Sequence, residues 1–79
     1  MKIKWSEPGQ RTMWRYVHDQ EGMHAIAAAV TSLAEDPTPP NAFRWGSDGD
    51  YRLRVGPYRV MYRIEADALL IARVDRVSE

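Results

Sequence analysis

The sequence predicts a two-layer α+β fold: an N-terminal strand, a helical hairpin, then a three-stranded antiparallel meander whose sheet the helices cover from one side. Three observations predict it. Side chains alternate with a period of two from Tyr51 to Ile64, with a single interruption at Gly56-Pro57. Apolar residues recur at helical spacing from Met23 to Ala34. Between these halves stand Asp36-Pro37 and Pro39-Pro40, which end a helix and keep the chain extended. With 79 residues there is room for one domain, residues 1–79, and a modest core.

Taken in order, Lys2 to Trp5 reads as a short strand with Ile3 and Trp5 on one face and Lys2 and Lys4 on the other. Ser6 is a helix cap, followed by Glu7 in the first turn and Pro8, where a missing N–H costs nothing. The first helix should run to about His18 or Asp19, with Met13, Tyr16 and Val17 on its apolar stripe and Trp14 widening it. Gly22 should separate it from the second helix. That helix, from Met23 to Ala34, is rich in alanine and free of glycine and proline, so propensity agrees with pattern. Asn41 to Trp45 reads as an aromatic flap or irregular edge, and Gly46-Ser47-Asp48-Gly49 as a turn.

In the meander, Tyr51, Leu53 and Val55 share a face, as do Tyr58, Val60, Tyr62 and Ile64. A hairpin at Gly56-Pro57 then sets Arg54 opposite Arg59 and Arg52 opposite Met61, so one face is apolar and the other lined by guanidiniums. After a reversal at Glu65-Ala66-Asp67, the strand Leu69 to Val74 has two registers. One buries Leu69 and Ile71 and carries Arg73 inward. The other buries Leu70, Ala72 and Val74 and sends Arg73 to the basic face; it is the expected one, because it leaves no guanidinium in the core.

Composition narrows the function. Eleven basic and eleven acidic residues give a formal net charge of zero, which argues against a nucleic-acid binder driven by overall positive field. The distribution is uneven: residues 51 to 64 hold Arg52, Arg54, Arg59 and Arg63 and no acid. Nine of the eleven basic residues are arginine, whose planar fork matches phosphate and carboxylate. A solvated face with aliphatic stems covering the sheet accounts for the same residues. There is no cysteine, hence no disulfide framework and no thiolate metal site. No apolar run approaches the ~20 residues that span a bilayer, and Met-Lys-Ile-Lys-Trp lacks a secretory apolar region, so a cytoplasmic location is expected.

The string Tyr51-Arg-Leu-Arg-Val-Gly-Pro-Tyr-Arg-Val-Met-Tyr-Arg-Ile resembles the signature of the RelE/ParE superfamily of type II toxins, and is closer to its RelE-like branch. The similarity extends to Ser6-Glu7-Pro8, to Leu33-Ala34-Glu35-Asp36-Pro37 and to Leu69–Val74. It implies a RelE-like fold and a toxin paired with a cognate antitoxin in a heteromeric complex. RelE-like members cut mRNA on the ribosome; ParE-like members inhibit DNA gyrase. Carried over, the resemblance makes Arg59 the catalytic phosphate-contacting residue and Arg52 and Arg54 the RNA-binding strand. Arg73, Lys2 and Lys4 extend that RNA-binding set.

Such cutting is attack of a ribose 2′-hydroxyl on the adjacent phosphorus, which needs a base, positive charge on the phosphorane and a proton for the leaving oxygen. It requires no metal or cofactor. A guanidinium suits the second task and not the first. RelE-like toxins draw acid-base groups from a C-terminal histidine or arginine and a tyrosine; here Arg76 is the remaining basic side chain and the tyrosine is absent. His18 and His24 fall on helices away from the basic strands, and Trp14, Phe43 and Trp45 are expected to be core more than partner anchors. A gyrase inhibitor and a catalytically silent antitoxin-binding remnant stay open beside the mRNA interferase.

Overall fold

The computed structural model describes residues 1–46 and 49–77. Its elements are β1 (Lys2–Trp5), α1 (Glu7–Trp14), α2 (Gln20–Leu33), β2 (Ala42–Arg44), β3 (Asp50–Val55), β4 (Tyr58–Glu65) and β5 (Ala68–Arg76). The strands form one sheet in the order β1-β5-β4-β3-β2, antiparallel except where β1 lies parallel to β5. Both helices are on one face. Ile26, Val30 and Leu33 of α2 meet Leu53, Tyr58, Val60, Tyr62, Leu69, Ile71 and Val74 of the sheet in the core. The expected α+β layering is therefore present.

Local chemistry explains most element ends. Ser6 caps α1 by accepting from the Gly9 amide at 2.9 Å, and Asp19 caps α2 by accepting from the Gly22 amide at 3.0 Å. The first helix stops at Trp14, four residues earlier than expected, and successive turns carry the chain to Asp19. Gly22 does not separate the helices; it lies inside α2. A Cβ there would collide with the Asp19 carboxylate and lie 2.6 Å from the Tyr58 ring, so the position needs the missing side chain. At Gly56 the backbone takes φ of 57°, closing a two-residue hairpin between Val55 and Tyr58. The expected turn at Gly46–Gly49 includes positions 47 and 48, which lie outside the described residues.

Two further expectations are corrected. Asn41–Trp45 is no irregular flap: Ala42–Arg44 pairs with β3 as a regular edge strand. The register of β5 is neither of the two alternatives. Glu65 pairs with Ala68, so the loop has two residues and Leu69 and Ile71 point to the core. A β-bulge follows: Tyr62 pairs with Ile71 but Met61 pairs with Arg73, leaving Ala72 as the extra residue. Parity flips there. Val74 also faces the core and Arg73 faces out, so the strand buries Leu69, Ile71 and Val74 as well as Ala68 at its start, and no guanidinium. Leu70 and Ala72, expected inside, are half-buried on the other face.

Beyond Trp5, β1 no longer covers β5, and α1 with the residues flanking it takes over. Ser6 Oγ donates to the Ala72 carbonyl at 3.2 Å, Thr12 Oγ1 accepts from the Val74 amide at 2.9 Å, and the Tyr16 hydroxyl accepts from the Arg76 amide at 3.1 Å. Three side chains thus satisfy the edge-facing groups of alternate β5 residues, which otherwise would be orphaned or open to another strand.

Candidate functional site

The face opposite the helices carries the arginines, because period-two alternation that buries Leu53, Tyr58, Val60 and Tyr62 leaves their neighbours outside. Cross-strand register arranges them in rows. Nearest the Gly56-Pro57 turn, Arg54 faces Arg59 and Arg59 faces Asp75. In the next row Phe43, Arg52, Met61 and Arg73 lie side by side. The far row joins Asp50, Arg63, Leu70 and Lys4, and Trp45 borders it, its amide donating to the Asp50 carbonyl at 3.1 Å. Lys2 lies one row beyond, beside Ala68. The lysines are therefore on the edge strand β1, two strands from Arg59 and at the other end of the face.

Charge on this face is less uniform than residues 51–64 alone suggest, because folding brings carboxylates from outside that stretch. Asp50 accepts from Arg63 Nε at 2.8 Å and from its Nη2 at 3.3 Å, which raises the Arg63 pKa. Asp75 accepts from Arg73 Nε at 2.8 and 2.9 Å. Arg52, Arg54 and Arg59 have no such partner among the described residues. Arg52 Nε is also buried and without a partner. Three guanidiniums thus crowd one end of an open sheet face with their outer donors free for an anion, and Asp75 sits directly across from Arg59.

Arg76 is not with them. It pairs in register with Tyr58 on the helix side, its guanidinium carbon 5.6 Å from the Tyr58 ring centroid. The bulge put Asp75 on the open face and therefore Arg76 on the helix side, where it stays exposed. Tyr58 is buried, packs edge-on to Tyr16 at 5.2 Å and donates its hydroxyl to Asp19. That hydrogen bond, with the Gly22 amide and Arg76 adding to it, holds the Asp19 carboxyl below its ordinary pKa; the same bond, together with burial, pushes Tyr58 up. Tyr62 donates to the Pro37 carbonyl at 2.6 Å, stacks on Tyr51 at 5.6 Å, and is pushed up to about 12 chiefly by burial. Both tyrosines are structural and face away from the arginines. His18 and His24 are both exposed; His24 lies on α2 as expected, whereas His18 falls in the turns between the helices because α1 ends at Trp14.

Sequence reasoning placed the aromatics wrongly. Trp14 is 70% exposed, Phe43 46% and Trp45 47%. Trp14 borders an apolar groove of about 330 Å³ between the helices, with Trp5, Met13, Val17 and Met23. Phe43 and Trp45 rim the arginine face. Asp75, the carboxylate closest in register to Arg59, was also missed; only the bulge reveals it. Among the described residues there is no cluster of side chains suited to a metal and no helix long and apolar enough to cross a membrane.

Residues 11–79 match the family profile described as the ParE toxin of the type II toxin-antitoxin system parDE. No curated protein matches the chain by sequence. Among solved structures, the chromosomal ParDE toxin-antitoxin system from P. aeruginosa superposes with a TM-score of 0.79 at 19% identity, over 99% of this chain and 97% of that one. The isolated E. coli RelE toxin gives 0.84 at 11% identity, over 99% and 85%. The toxin-antitoxin complex RelBE2 from Mycobacterium tuberculosis gives 0.75 at 21% identity, over 95% of each chain.

Proposed function

The chain belongs to the ParE toxin family of type II toxin-antitoxin systems, and on that premise we propose that it inhibits translation in the cytoplasm by cutting ribosome-bound mRNA with the arginine face. The observation that carries this reading is the end row, where Arg54 and Arg59 meet with no compensating ion pair among the described residues and Asp75 faces Arg59. In this mechanism Arg59 stabilises the charge that builds on the phosphorane and donates a hydrogen bond to the 5′ oxygen as the P–O5′ bond breaks, solvent water supplying that oxygen's proton, and Arg52 and Arg54 hold the flanking backbone. Asp75, oriented by Arg73, is positioned to accept the 2′-hydroxyl proton. Arg76 is left out of the chemistry because it lies on the other side of the sheet. Lys2, Lys4 and Arg73 add positive field along the RNA path.

A cognate antitoxin is the natural partner, in keeping with solved complexes of similar fold such as RelBE2. An acidic segment over Arg52, Arg54 and Arg59 relieves their mutual repulsion and blocks RNA in the same step. The apolar groove beside Trp14 offers a second docking surface for an amphipathic antitoxin helix.

The test is a cell-free translation reaction with message ends mapped by primer extension. Wild type and Arg76→Ala should produce breaks at ribosome-occupied codons; Arg59→Ala should produce none, and Asp75→Asn should slow them. Intact message with wild type refutes the reading. The family match to ParE favours a second one, inhibition of DNA gyrase by binding, which needs no proton-transfer group. Loss of gyrase supercoiling in the presence of the protein, with message intact, would establish it instead.

A further inference from the structure

We infer that Phe43 and Trp45 form a stacking platform for unpaired nucleobases at the β2 edge of the arginine face, so that the protein engages RNA as a single strand through its bases as well as its phosphates. This inference rests on the RNA-directed reading above. Both rings are close to half exposed, in a domain that buries its core tyrosines fully. An edge strand could have carried polar residues here; instead β2 and the residue after it present aromatics to the uncovered face.

Position ties these rings to the charge. Phe43 is in register with Arg52, one row from Arg54 and Arg59. From strand spacing and rise, Phe43 and Arg59 are roughly 12 Å apart along the face. Arg52 lies between Phe43 and Met61, its Nε covered and its remaining donors at the open end of the guanidinium. Trp45 lines a recess of about 280 Å³ together with Met61, Tyr62, Leu70 and Ala72 and the ion-paired Asp50 and Arg63. An apolar recess walled by an indole and flanked by an ion pair suits a planar base with hydrogen-bonding edges. Aromatic rings set beside a track of guanidiniums are the arrangement that holds single strands, since every base has a π-face. A polyanion also matches the charge of Arg52, Arg54 and Arg59, which have no ion-pair partner among the described residues, and this selects nucleic acid over an apolar partner for this edge.

The test compares two fluorescein-labelled oligoribonucleotides of equal length, one with normal bases and one abasic, for binding to the purified protein by anisotropy. Wild type should bind the base-bearing strand about tenfold more tightly per stacked ring than the abasic strand. Phe43→Ala and Trp45→Ala should each remove about that factor for the base-bearing strand only, while Phe43→Tyr and Trp45→Phe should keep it. Circular dichroism of each variant confirms the fold. Equal binding of both strands by wild type overturns the platform and leaves the phosphate-binding role of the arginines standing. Binding of neither strand overturns the platform together with the RNA-directed reading. Alanine variants that bind both strands as wild type does, but no longer co-purify with a co-expressed antitoxin, assign these rings to a protein interface and also overturn it.

Discussion

Thr12→Val should be among the most damaging isosteric substitutions in this protein. Thr12 is 5% exposed, and its hydroxyl joins two elements: Oγ1 donates to the Pro8 carbonyl at 2.7 Å within α1 and accepts from the Val74 amide of β5 at 2.9 Å. Valine fills the same volume, so the change opens no cavity. It leaves the Val74 N–H buried at a strand edge that β1 does not reach, which costs about 1–3 kcal/mol. A central value of about 2 kcal/mol corresponds to a fall in Tm of about 8–16 °C for a domain of this size. Thr12→Ser keeps the hydroxyl and loses one buried methyl, which costs about 1 kcal/mol. Urea unfolding followed by tryptophan fluorescence measures both, and hydrogen exchange at the Val74 amide reports the bond itself. A valine variant at least as stable as the serine variant, with Val74 still protected, would refute the view that side chains of α1 complete the edge of β5.

Other outcomes follow from the same geometry. Gly22→Ala should destabilise the fold by about 1–3 kcal/mol despite alanine's better helix propensity, because the new methyl meets the Asp19 carboxylate and the Tyr58 ring; a more stable variant in thermal denaturation contradicts that packing. Asp19 has its pKa lowered in the folded state, so its contribution is present above the ordinary carboxylate range and is lost as pH falls through the folded value; Asp19→Asn should flatten the acid limb of stability against pH. Tyr62, raised to about 12, contributes stability that is complete below pH ~10 and lost as pH rises toward 12, and Tyr62→Phe should remove that alkaline dependence along with about 1 kcal/mol. Arg59→Ala should leave the unfolding free energy within about 0.5 kcal/mol of wild type, since its guanidinium has no ion-pair partner among the described residues, while abolishing growth inhibition; a folded variant that stays toxic removes Arg59 from the site.

The face on which Arg52, Arg54, Arg59 and Arg63 stand is written in the chain. Alternation is a property of the extended backbone, and four large apolar residues at alternate positions leave one way to bury them. The two-residue hairpin at Gly56-Pro57 then settles their cross-strand partners. Helix caps at Ser6 and the breakers after Leu33 were legible for the same reason: their chemistry is local. The rest depends on contacts between segments far apart in the chain. The bulge at Ala72 arises because β5 must bury Leu69, Ile71 and Val74 against helices while pairing with β4, and no single parity satisfies both. That one inserted residue places Asp75 across from Arg59 and sends Arg76 to Tyr58. Likewise Trp14, Phe43 and Trp45 read as core by hydrophobicity, yet a core of this size is filled by α2 and the tyrosines of β4, so the remaining rings stay at the surface. Periodicity is written in the chain; register shifts and the competition for interior space depend on partners distant in sequence.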